Sequence, residues 1–341
     1  MREADTARAR YVTLALIAIL LLSVVIAATI GPYAIPPLEI ANAIARKIAG
    51  TPGPETIDTV LFRIRLPRIA AAAFVGAALA CAGATYQTIF RNPLISPDVL
   101  GVSSGAGLGA VVGILLSFSV AGIQLAGFVG GLAVVGIVVS LASVLRSQNE
   151  TLVLVLAGIV IGTLASSGIA FIKTIADPYE QLPAITFWLL GSLSGVKAED
   201  LTGLIVPVTI GFAPLIALRW RIGVLSLGDD DARSLGVSVA RLRLIVIVAS
   251  TLMTASAVAI SGVIGWVGLM VPHMSRFLVG PRYDRLLPAS ALLGAAFVVI
   301  VDTLARSIAK TEIPLGVLTA LTGAPVFVWL LVRGKKPWSG A

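Results

Sequence analysis

The chain has 341 residues, of which 57% are hydrophobic and 12% charged, and its net charge is +8. Soluble domains carry about 25% charged residues, so this composition, with a mean hydropathy of +1.01, excludes a globular domain on a single anchor and indicates a polytopic membrane protein. The one cysteine, Cys81, sits inside an apolar run, which excludes a disulfide framework and a cysteine-based metal site.

A helix needs about 20 apolar residues to cross roughly 30 Å of hydrocarbon. Charge-free windows at 11–38, 69–90, 99–145, 151–172, 201–218, 244–275, 286–301 and 313–332 supply the crossings. The first window is too long for a signal-peptide core and no cleavage site follows it, so it reads as a retained span. Between the first two windows, Pro36-Pro37 and Thr51-Pro52-Gly53-Pro54 frame a helical pattern from Leu38 to Ala49 that is expected on the membrane surface. The window from Val99 to Leu145 must hold two helices with a break near Ser117–Gln124. The window from Leu244 to Ser275 would make a helix of about 48 Å, and is expected to break near Gly262–Gly265, where glycine can turn the backbone. Between the spans at 151–172 and 201–218, Phe187 to Ser192 reads as a half-helix.

The expectation is an all-α membrane protein, one transmembrane domain over 1–341 with ten spans and both termini on one side. Placing the termini inside puts 16 of the 25 lysines and arginines on the cytoplasmic side, as the positive-inside rule requires. The basic residues stand between apolar runs, so topology and anionic lipid explain the charge better than nucleic acid does. Arg63, Arg65, Arg68 and Arg306 fall outside and break the rule locally, which marks them for function. A shift of 179 places pairs Ala78, Ala80, Gly83, Pro93 and Gly101 with Ala257, Ala259, Gly262, Pro272 and Gly280, as a possible inverted repeat.

Four constellations follow. Arg65 and Arg68 are three apart and share a face if one helix includes both. Pro67 suits a first turn, and cations there oppose the macrodipole by about 0.3–1 kcal/mol each. They serve either as interfacial anchors or as an outward basic patch, with Arg306 added. Next, Ser96-Pro97-Asp98 is a helix-start signal. The small residues Ser103, Ser104 and Gly105, with Gly158, Gly162 and Ser166 on one face of the fifth span, either pack helices closely or line a pathway. The inside loop 219–243 carries Leu227, Gly228, Asp229, Asp230, Asp231, Ala232, Arg233, Leu235 and Gly236. Its glycines bracket short helical turns, and its acids suit a helix N-terminus. Finally, His273 has no ligand-spaced partner and reads as an interhelical hydrogen-bonding group, while Asp302 stands four residues before Arg306 for an i,i+4 pair. No G-x-x-x-x-G-K-[ST] motif is present, so ATP hydrolysis is not expected of this chain.

The stretch RLPRIAAAAFVGAALACAGATYQTIFRNPLISPDVLGVSSGAGLGA from Arg65, the loop 225–237, the segment from Gly268 to Gly294 and the segment from Glu312 to Pro325 resemble the membrane-spanning subunits of type II ABC importers for ferric siderophores, haem and cobalamin. The resemblance implies a homodimeric permease in a bacterial or archaeal cytoplasmic membrane. It would be served outside by a substrate-binding protein and inside by two ATP-binding cassette subunits that use ATP and magnesium. No cofactor is expected on this chain. Arg65, Arg68 and Arg306 would meet glutamates of the binding protein, the 227–237 segment would couple to the ATPase, and the fifth span would flank the pathway. The cargo would be a whole chelate, first a ferric siderophore, then haem, then cobalamin. An ion-gradient carrier is the competing class, and would want paired intramembrane carboxylates.

Overall fold

The structure is a computed structural model that describes residues 2–145 and 150–333. Its helices are α1 (Arg2–Thr29), α2 (Pro37–Ala49), α3 (Glu55–Asp58), α4 (Leu66–Ile89), α5 (Val102–Leu115), α6 (Val120–Leu145), α7 (Glu150–Ile175), α8 (Gln181–Leu190), α9 (Asp200–Ala217), α10 (Arg219–Leu225), α11 (Asp229–Ser234), α12 (Val239–Ser261), α13 (Val267–Val279), α14 (Tyr283–Ala305) and α15 (Leu315–Arg333). A π-helical stretch, Thr59–Arg65, joins α3 to α4, and a 3-10 turn, Pro97–Leu100, precedes α5. Among the described residues, 7 helices are long and apolar enough to cross a membrane, and the shorter apolar α5, α13 and α15 complete the expected ten segments. Of the cations assigned to the inside, Arg146, Lys335 and Lys336 lie outside the described residues.

Helix α4 is the axis of the bundle. Of its span window 78% is buried, against 22% for the windows in α1, α6 and α9, so those three face outward. The cause is side-chain size. Ala71, Ala72, Ala78, Ala80, Ala82 and Ala84 are buried, and small residues let backbones approach closely in lipid. Gly76 of α4 meets Gly294 of α14 so tightly that a Cβ on either would overlap the other's carbonyl oxygen, and a Cβ on Gly83 would overlap the carbonyl oxygen of Gly268 of α13.

The two expected breaks occur. Helix α5 ends in a turn where Ser117 takes φ 55°, and α12 ends at Gly262, with φ 67°, before Trp266 at φ 71° opens α13. Three local expectations are corrected. Arg65 does not stand at a helix N-terminus, because the helix runs continuously from Glu55 to Ile89, and its first turn holds the acids Glu55 and Asp58. Ser96 makes no cap; its hydroxyl donates to Asp98, 3.3 Å away, which also accepts from Ser103, and α5 starts only after Gly101 turns the chain at φ 80°. The 179-residue shift pairs Pro93, in a turn, with Pro272, inside α13, so the two stretches differ in local structure there.

Candidate functional site

At one pole of the bundle the end of α1 meets the beginning of α4 and the end of α14. Arg65, Arg68 and Arg306 do converge here, but they form no open patch. Their exposures are 4%, 6% and 7%. Arg65 donates to the carbonyls of Ala28, at 2.5 Å, Thr29, at 3.2 Å, and Tyr33. Arg306 donates to the carbonyls of Ile30, at 2.7 Å, and Ala27. The last turn of a helix leaves carbonyls without intrahelical donors and carries about half a negative charge. Two guanidiniums therefore cap α1 from two other helices.

Arg68 is held differently. Its Nε lies 2.9 Å from Asp302 Oδ1, and its terminal nitrogens lie 2.7 and 3.0 Å from the oxygens of Glu312. The expected pair of Asp302 with Arg306 is present but long, at 3.7 Å. The main partner of Asp302 is thus Arg68, on another helix. Sequence reasoning gave Glu312 no role. Spacing along the chain could not find it, since it stands 244 positions from Arg68.

The seam of small residues lies between α5, α6 and α7. Gly105 faces Gly130 and Val134 of α6, and Gly158 abuts the backbone of Val99 and Leu100, so these two glycines serve close packing. Gly162 lies against Gly101. Ser104 and Ser166 reach each other at 3.3 Å, with Ser166 exposed and Ser103 and Ser104 half-buried. The hydroxyls therefore edge the seam while the glycines close it.

The opposite pole holds the end of α4, the start of α14 and the α10–α11 loop. Tyr283 and Thr85 share a hydrogen bond of 2.8 Å that ties α14 to α4. Helix α11 begins with Asp229, Asp230 and Asp231, as the acids at a helix N-terminus lead one to expect. Gly228, at φ 134°, and Gly236, at φ 77°, bound it. Ala232 anchors it to the bundle, while Leu227 and Leu235 project, 61% and 53% exposed. Asp229 is held by Arg243 at 3.0 Å, and Asp230 by Arg233 at 2.9 Å. Arg91, at φ 49°, closes the other side of a polar cleft of about 680 Å³ above the loop. His273 differs from expectation: among the described residues its Nδ1 has no hydrogen-bond partner, and its ring packs edge-on against Phe327 at 6.0 Å.

The profile of the FecCD transport family matches residues 19–333. The molybdate import system permease protein MolB of Haemophilus influenzae is 39% identical over 318 residues, spanning 93% of this chain and 94% of that protein. The Fe(3+) dicitrate transport system permease protein FecD of Escherichia coli is 43% identical over 276 residues, 80% of this chain and 85% of that protein. A solved structure, an inward-facing conformation of a metal-chelate type ABC transporter, superposes with a TM-score of 0.85 at 38% identity, covering 95% of this chain and 99% of that one.

Proposed function

This chain belongs to the FecCD transport family, and on that footing we propose which cargo it moves and how. It is the membrane permease of an ABC importer, and the ATPase is a separate subunit. The proposed cargo is a ferric siderophore, with haem and then cobalamin as the alternatives of the same class. Ser103, Ser104 and Ser166 offer hydroxyls at the seam, which suits a chelate whose metal is already satisfied. Similarity to the molybdate importer supports a second reading, in which the cargo is an oxyanion.

In the proposed mechanism two copies of the chain enclose the pathway, with both termini in the cytoplasm. A loaded binding protein docks above the Arg65, Arg68 and Arg306 pole. Two ATP-binding cassette subunits grip the opposite pole, and their ATP-driven closure moves α11. The observation that carries this reading is α11 itself: a short helix pinned by Ala232 and bounded by two glycines, with Leu227 and Leu235 presented to a partner. A gradient-driven carrier gains no support from Asp302, which is already neutralised by Arg68 at 2.9 Å.

The test is reconstitution in vesicles with and without the ATPase subunits and binding protein, following labelled ferric siderophore and labelled molybdate. Uptake is expected to need ATP and all components, to favour the siderophore, and to come from particles holding two copies of this chain. Uptake driven by a proton or sodium gradient without ATP would sink the mechanism, and a preference for molybdate would replace the cargo.

A further inference from the structure

Helix α2 wears its apolar side outward. Leu38, Ala41, Ile44, Ala45 and Ile48 recur at helical spacing and all are exposed, Leu38 at 72% and Ile48 at 83%. The side turned to the bundle carries the buried Ala43 with the half-buried Glu39 and Arg46. A surface helix bathed in water is arranged the other way round. The fold also sets the depth of α2. The apolar part of α1, Arg8–Thr29, has 22 residues, about 33 Å of helix against a hydrocarbon layer of roughly 30 Å. The Ile35 N–H donates back to the Thr29 carbonyl at 3.1 Å, so Pro37, two residues on, starts α2 within about 7 Å of the end of that span. At the far end of α2, the Lys47 ammonium stands 5.6 Å from the centre of the Phe62 ring. Phe62 is less than one turn from Arg65, which caps α1. Both ends of α2 are thus tied close to the end of α1, and the helix runs along the membrane surface. Tyr33, in the connection and 46% exposed, is an aromatic of the kind that sits at that level.

We propose that the exposed face of α2 rests on the lipid bilayer at this pole, with Leu38, Ile44 and Ile48 reaching the acyl boundary. Continuity carries the choice of occupant. Val25, Ile26 and Ile30 on α1 and just past its end are 53%, 40% and 46% exposed, so the apolar surface of a membrane span leads straight onto α2. Interfacial helices sink an apolar face about 5–10 Å into the boundary between headgroups and acyl chains and keep their cations off it; on α2 Arg46 and Lys47 stand off that face. A protein partner fits less well, because the face holds no aromatic side chain and no arginine, the groups that anchor protein contacts. The contact holds the end of α1, and with it the Arg65 and Arg306 caps, level with the membrane surface.

The experiment labels the full chain with bimane at one introduced cysteine, L38C or I48C on α2, or E55C on α3 as an exposed control. The native Cys81 is buried, and the chain without an added cysteine gives the background. In phosphatidylcholine vesicles, lipid brominated along the acyl chain should quench the labels of L38C and I48C several-fold more strongly than that of E55C. Aqueous iodide should show the opposite order. If L38C fails to fold into the vesicles, I48C carries the test alone. Iodide quenching of I48C equal to that of E55C overturns the proposal, because the face then stands in water. Shielding of I48C from both quenchers also overturns it, because a second copy of the chain then covers the face.

Discussion

Arg68 divides one guanidinium between Asp302 and Glu312, and both of its partners come from the far end of the chain. Breaking a buried pair from one side is strongly destabilising because it leaves a charge uncompensated. Asp302→Ala should therefore lower the stability of the purified permease by about 3 kcal/mol, read as a fall in its unfolding midpoint in detergent. Adding Arg68→Met should recover part of the loss, because the stranded cation goes too. A midpoint that stays put in the single variant would mean that Glu312 alone satisfies Arg68. Arg65 bears on docking. Its guanidinium caps α1, so Arg65→Gln should weaken binding-protein docking more at low salt than at high salt if its charge is felt outside. A loss of equal size at both ionic strengths would make its role purely structural.

Among the elements, α4 shows how lipid-embedded packing depends on the absence of side chains. A Cβ on Gly76 would overlap the carbonyl of Gly294, whereas one on Gly136 of α6 would meet nothing within 4 Å. Gly76→Leu should thus cost at least the 1–3 kcal/mol typical of overpacking, and Gly136→Leu should be neutral by the same melting assay. Similar losses from both would show that α4 does not sit as closely on α14 as described. The same logic separates the two readings of the α5–α7 seam. Gly105 and Gly158 abut backbone, so packing accounts for them, and since Asp98 holds the hydroxyl of Ser103, those of Ser104 and Ser166 are the ones left to a proposed pathway.

For the whole molecule, the proposed mechanism requires that two poles be linked. The bundle joins them through helices packed on α4, and α11, the proposed lever at one end, is bounded by Gly228 and Gly236 in backbone conformations that side chains rarely adopt. Replacing both glycines with isoleucine should leave binding-protein docking intact but separate ATP hydrolysis from uptake, so that transport per ATP falls several-fold in reconstituted vesicles; unchanged stoichiometry would place the contact elsewhere. The sequence by itself determined the membrane class, the ten apolar segments, the breaks after α5 and α12, and the short acidic helix between two glycines. Each of these is written in local order, as the length of an apolar run, a glycine at a turn or a charge at a helix end. Only the tertiary structure decided what the arginines do. Read as a line, Arg65, Arg68 and Arg306 are exposed cations on the wrong side of a membrane. Folded, they cap a helix end and hold Asp302 and Glu312, because their partners are carbonyls and carboxylates up to 279 positions away. No periodicity or spacing rule reaches across that distance.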